Sequence, residues 1–135
     1  MILLAADVLS AFRRPERHPQ VAAWLLAQDE GALFVSAVTI GKLACGVALE
    51  ARRNPDAGAV LGDWLDRTCL QFADRVGPFD AEAAGVWGRL SAEIGHGGAD
   101  LQIAATALVA GFTVATRNTR HYAPTGVGVV DPFES

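Results

Sequence analysis

The chain has 135 residues, a formal net charge of −4 and an apolar fraction of 51%, which suits one domain whose core is large enough to hold without disulfides or metals. The acidic total excludes a general nucleic-acid coat, because non-specific phosphate binding rests on accumulated Lys and Arg. No apolar run approaches the roughly eighteen residues of a membrane span, and Met1-Ile-Leu-Leu-Ala-Ala lacks the basic flank and length of a signal peptide, so a soluble, cytoplasmic protein with no membrane partner is expected.

Met1 to Leu4 is a short apolar run that suits a strand buried on both faces, and helical spacing follows in Asp7-Val-Leu-Ser-Ala-Phe12. Pro15 and Pro19 break that segment, after which Val21-Ala-Ala-Trp24-Leu25-Leu26 reads as a short amphipathic helix ended near Gly31. Leu33 to Ser36 is the second strand. Ser36 to Asn54 is a long helix with apolar positions at Val38, Leu43, Val47 and Leu49. A turn is expected at Asn54-Pro-Asp-Ala-Gly58, then a helix over Ala59 to Phe72 that repeats helical spacing through Leu61, Trp64, Leu65 and Leu70, the two helices pairing as a hairpin. Arg75 to Phe79 is extended; Asp80 caps a helix over Ala81 to Ile94, which Gly95-His-Gly-Gly98 stops. Asp100 opens an apolar helix, Phe112 to Thr116 forms a strand, and Val127 to Val130 is a last extended piece. Cys45 and Cys69 lack metal-ligand spacing and fall at apolar helical positions, which reads as buried thiols in a reducing compartment.

Strands alternating with helices indicate an α/β domain with a central, mainly parallel sheet. In such sheets ligands gather at the carboxyl ends of strands, which directs attention to the residues after Leu4, Ser36 and Thr116 and to Asp100. Taken alone, an Asp at that place is more commonly an N-cap. Arginines cluster at Arg13, Arg14 and Arg17, at Arg52 and Arg53, and at Arg117 and Arg120. Singly these read as solvated helix ends; together they would form a basic rim. The high apolar fraction points to a homodimer or a protein partner. Gly95-His-Gly-Gly lacks the Lys-Ser/Thr of a P-loop, and Ser10, Ser36 and Ser91 are in no Gly-x-Ser-x-Gly setting.

Met1-Ile-Leu-Leu…Asp7-Val-Leu-Ser10, Ser36-Ala-Val-Thr-Ile…Gly46-Val-Ala48, Asp100…Ile103-Ala-Ala-Thr-Ala107 and Ala115-Thr-Arg-Asn118 occur in the order typical of PIN-domain proteins. The chain resembles a VapC-like toxin over nearly its whole length, including Pro78-Phe-Asp80 and Asp131-Pro-Phe133. The resemblance implies a single PIN-like domain over residues 1–135 and membership of a type II toxin–antitoxin pair. It also implies a cognate antitoxin, contact with DNA only through that antitoxin, and an RNA substrate. In active members, as the resemblance implies, three or four carboxylates converge on Mg²⁺ or Mn²⁺ and a water that cleaves RNA. Magnesium suits that task because it takes oxygen ligands, keeps waters and leaves positions for a phosphate.

Matched residue by residue, this sequence departs from the family's pattern. The first Asp falls on Ala5 and its neighbouring hydroxyl residue on Ala6; the Glu of the helix after the second strand falls on Lys42; the fourth acidic position falls on Asn118, with His121 where some relatives have an Asp. Asp100 is kept, after a loop about two residues short, and Asp7 stands where an Asn is common. The resemblance therefore leaves Asp100 and Asp7 as catalytic and metal-ligand candidates. With Lys42 the cluster carries a charge of about −1 where an active member has roughly −3 to −4. Lys42 is expected to take the cation's place beside Asp100 and Asp7, or else to extend to solvent. Impaired catalysis follows as the expectation. The alternative is a non-catalytic PIN-like protein that binds an antitoxin or RNA, with apolar grooves beside Trp24, Phe34 or Trp87 for a partner helix.

Overall fold

The computed structural model describes residues 1–134. In chain order the elements are β1 (Ile2–Leu4), α1 (Ala6–Phe12), α2 (Pro19–Leu26), β2 (Leu33–Ser36), α3 (Ala37–Arg53), α4 (Pro55–Gln71), β3 (Val76–Gly77), α5 (Ala81–Ile94), α6 (Ala99–Ala110), β4 (Thr113–Ala115), α7 (Thr119–Tyr122) and β5 (Val129–Val130). The sheet order is β3-β2-β1-β4-β5 and every pairing is parallel, with Ile2 opposite both Leu33 and Thr113. This is the α/β layout expected, and β1 lies at its centre because the chain builds outward to β3 before crossing back to β4.

Successive side chains of a strand point to opposite faces, and here that alternation divides the core in two. Leu4, Leu33, Val35 and Ala115 pack with Val8, Leu9, Val21 and Leu25 of α1 and α2. Leu3, Ala5 and Val114 pack on the other face with Ile103, Ala104 and Ala107 of α6 and with Tyr122. Helix α6 is buried nearly all round, the state expected of a helix that is apolar on every side. Gly77 in β3 lies so close to it that a Cβ there would stand 3.1 Å from Thr106 Cγ2.

Two helix starts differ from the sequence expectation, for the same local reason. Pro19 and Pro55 begin helices instead of breaking them: at the first helical position the missing N–H costs nothing and the fixed φ is already helical. The segment Asn54–Gly58 is accordingly the first turn of α4, with Asn54 Oδ1 accepting the Ala57 N–H at 3.2 Å. Asp80 caps α5 as expected, accepting from Ala83 N at 3.0 Å, and Gly95 ends it at φ +97°.

The helices α3 and α4 pair as a hairpin whose contact depends on Gly58, where a Cβ would meet the Ala51 backbone at 2.5 Å. Their apolar faces are only partly buried: Leu65 is in the core, while Leu49 and Leu70 are exposed, Leu70 by 78%. The buried-thiol reading is corrected in the same way. Cys45 is exposed, in a stretch of α3 where residues 44–46 all face solvent, and Cys69 of α4 is half-buried; both are free thiols. Among the described residues, no helix is long and apolar enough to cross a membrane.

Candidate active site

The carboxyl ends of β1 and β4 and the first turn of α6 meet at one edge of the sheet. Asp100 is the second residue of α6, and the N-cap position belongs to Gly98. The N-cap reading of Asp100 is therefore corrected; its carboxylate instead faces three donors from α3 and α7. Tyr122 Oη donates to Oδ1 at 3.2 Å, His121 Nδ1 lies 2.8 Å from Oδ2, and Lys42 Nζ stands 3.9 Å from Oδ1. An ionised carboxylate can only accept, so the imidazole proton belongs on Nδ1.

Lys42 thus pairs with Asp100 and is also 43% exposed, so its ammonium is shared between Asp100 and water. Among the described residues it makes no ion pair with Asp7. Asp7 is engaged elsewhere. Its Oδ1 accepts from Val8 N at 2.9 Å, and its Oδ2 accepts from Thr116 Oγ1 at 3.1 Å and Arg117 N at 2.8 Å. Those bonds tie the start of α1 to the segment after β4. Thr116 in turn accepts the Asn118 N–H at 3.0 Å. Asn118 itself is exposed and its side chain caps nothing in α7. Ala5 is buried beside α6, where it supplies only apolar surface. His18 packs edge-on to Phe133 and His96 accepts from Gly98 N.

Tyr122, the chain's single tyrosine, is the member of this cluster that sequence reasoning missed. Burial raises its phenol pKa well above the ordinary value; the charge of Asp100, the hydrogen bond to Asp100 and the charge of Asp7 push the same way. Its signal in the sequence was an aromatic with a polar tip directly after His121. Thr116 was missed as well, being read only as the end of a strand.

The donor set does not suit a divalent cation. Mg²⁺ and Mn²⁺ require several oxygen ligands, and an ammonium within a few ångströms repels the ion. Among the described residues no group of three or more His, Cys, Asp or Glu is placed to hold a metal. The cluster can accept and donate hydrogen bonds and can present the Lys42 charge to an anion.

An apolar groove of about 630 Å³ lies between α1, α2 and α4, bounded by Leu9, Phe12, Leu25, Leu26, Trp64 and Phe72. It is not at the positions expected for one: Trp24 and Phe34 pack against the two cores, Phe34 stacks on Phe112, and Trp87 stands edge-on to Phe79.

Fold and site together define a class, an α/β domain of PIN topology. The family described as the PIN domain matches residues 2–126. The chain belongs to the PIN-domain family, in its VapC-like branch. It is 37% identical to Toxin FitB of Neisseria gonorrhoeae, an alignment that covers 98% of this chain and 99% of that one. It is 34% identical to VapC ribonuclease Y4jK of Sinorhizobium fredii, with 99% of each covered. The solved structure of FitAB bound to the IR36 DNA fragment contains a chain that superposes with a TM-score of 0.86 at 35% identity, covering 100% of this chain and 97% of that one.

Proposed function

We propose that this chain is the toxin-type member of a toxin–antitoxin pair, built on an endoribonuclease scaffold whose divalent-metal site has been replaced by a Lys42–Asp100 ion pair, so that its RNA cleavage is impaired. The observation that carries this reading is the 3.9 Å approach of Lys42 Nζ to Asp100 at a position where active members, by the resemblance, hold a cation. Asp100 and Asp7 are the remaining acidic candidates for catalysis and metal binding. Support for the partner comes from the relatives: one is named a toxin, another a VapC ribonuclease, and FitAB is a complex on DNA. A cognate antitoxin, DNA contact only through it, a homodimer and a cytoplasmic setting accompany the proposal. The exposed Leu49, Val60 and Leu70 of the α3–α4 hairpin suit a protein interface.

The second reading, a non-catalytic PIN-like protein that binds an antitoxin or RNA, draws on the lack of a metal-holding group among the described residues. Melting in the presence of metal separates the two, since a ligand that binds only the folded state raises Tm. Millimolar Mn²⁺ should leave this chain's Tm within about 1 °C and raise that of an Ala5→Asp plus Lys42→Glu variant by several degrees. Unaltered Tm in both would favour the non-catalytic reading. A large shift in the unaltered chain would overturn the replacement of the metal site.

A further inference from the structure

We infer that a second, basic pocket beside the carboxyl end of β4 is a phosphate subsite that holds the backbone of an RNA strand; this deepens the ribonuclease-scaffold reading and rests on it. The pocket, about 350 Å³, is lined by Arg13, Arg14, Arg17, His18, Arg117 and Phe133, with Asp7 as its one carboxylate. Four of the chain's eleven Lys and Arg side chains line it, in a protein whose net charge is −4; Arg14, Arg17 and Arg117 belong to this pocket alone, while Arg13 borders it with its guanidinium over Trp64 of the neighbouring groove, 6.0 Å from the ring centroid. The sequence carries them in two clusters about a hundred residues apart; the fold joins them because α1 leaves β1 next to the segment that leaves β4.

The charge in this pocket is available to a ligand. Asp7 already accepts hydrogen bonds from Val8 N, Thr116 Oγ1 and Arg117 N. Among the described residues none of the four guanidiniums lies within 4 Å of a carboxylate, whereas Arg53 and Arg75 are paired with Glu50 and with Glu30 and Asp74. Arg117 is oriented: its guanidinium stacks on the Phe133 ring at 3.9 Å from the centroid, which fixes a planar fork of donors at the pocket wall. Guanidinium forks match phosphate oxygens in pairs, more strongly than a neutral donor does. A backbone phosphate supplies that acceptor without base specificity. The same Asp7 carboxylate that lines the pocket anchors Arg117, so a strand held here runs beside the strand ends that carry Ala5 and Thr116.

The test is the affinity of a short fluorescein-labelled single-stranded RNA as a function of salt. It compares the unaltered chain, an Arg14→Gln plus Arg17→Gln variant, and an Arg52→Gln plus Arg89→Gln variant of equal charge. Loss of two phosphate contacts should weaken binding at least tenfold and lower the slope of log K against log salt by about 1.4 in the first variant only. Inorganic phosphate at matched ionic strength should raise the Tm of the unaltered chain and not that of the pocket variant. Equal losses in both variants, or no loss in the pocket variant, would overturn the subsite. Displacement of the RNA by an oligoglutamate peptide at lower concentration than by unlabelled RNA would assign the pocket to an acidic partner and overturn it too. RNA cleavage by the Ala5→Asp plus Lys42→Glu variant, with affinity unchanged by the pocket substitutions, would sink the subsite and leave the scaffold reading standing; absence of RNA binding by every form would sink both.

Discussion

Replacing Lys42 by Glu inverts the charge facing Asp100 and leaves two carboxylates where an ion pair stood. At the 3.9 Å separation in the structure, two unit charges interact by about 1 kcal/mol in bulk water and about 4 kcal/mol at an effective dielectric of 20. Lys42 is 43% exposed and Asp100 26%, so the pair belongs near the aqueous limit, where exposed ion pairs contribute about 0–1 kcal/mol. Loss of the attraction and gain of a like-charge contact together cost about 1–2 kcal/mol, or about 3–8 °C in Tm for a domain of this size. The assay is thermal unfolding at neutral pH in chelator, with Lys42→Met as the variant that removes the charge while keeping an apolar stem. Lys42→Met should show about half the loss. At about 1 M salt, where the screening length is about 3 Å, the Lys42→Glu deficit should shrink markedly. Equal melting of Lys42→Glu and the unaltered chain in chelator at low salt would show that Lys42 does not neutralise Asp100, and the proposed replacement of the metal site would lose its basis.

Other substitutions test separate parts of the structure. Because the folded-state pKa of Tyr122 lies above its unfolded value of about 10, the neutral phenol's contribution is complete below about pH 10. It is lost as pH rises further, by up to about 1.4 kcal/mol per unit. Ultraviolet titration should find no phenolate while the protein stays folded, and Tyr122→Phe should remove this part of the alkaline destabilisation. The same variant loses a hydrogen bond to a carboxylate and should unfold about 1–2 kcal/mol more easily at neutral pH, measured by urea denaturation. Gly58→Ala should cost about 1–3 kcal/mol, since the added methyl meets the Ala51 backbone; unchanged stability would mean that the α3–α4 hairpin packs less closely than it does in this structure. Asp80→Ala removes the α5 cap and should cost about 1 kcal/mol in the same assay, with Asp80→Asn losing far less.

The sheet was legible where short apolar runs alternate with helices: Leu3 and Leu4 read as a doubly buried strand and occupy opposite cores. Helix starts were less legible. Pro19 and Pro55 are breakers inside a helix but favourable at its first position, and only the fold decides which applies. The faces of α3 and α4 were misjudged at Cys45, Leu49 and Leu70 because apolar type alone assigned them inward, although at about 100° per residue they lie roughly opposite Val47 and Leu61. The site was half legible. The family resemblance brought Ala5, Asp7, Lys42, Asp100, Asn118 and His121 to attention, and the structure gathers Lys42, Asp100 and His121. Asp7 turned to backbone and hydroxyl donors of the β4 end, contacts more than a hundred residues away in sequence that no local pattern encodes. Tyr122 and Thr116 were missed for the same reason: each contributes a hydroxyl to a carboxylate distant in sequence.

The most direct test of the central claim is cleavage of a structured RNA mixture in Mg²⁺ and Mn²⁺ by this chain and, in parallel, by the Ala5→Asp plus Lys42→Glu variant. A disabled nuclease scaffold should leave RNA intact in the unaltered chain and cut it in the variant. Comparable cleavage by both would contradict the impaired site, and cleavage by neither would contradict the ribonuclease scaffold itself.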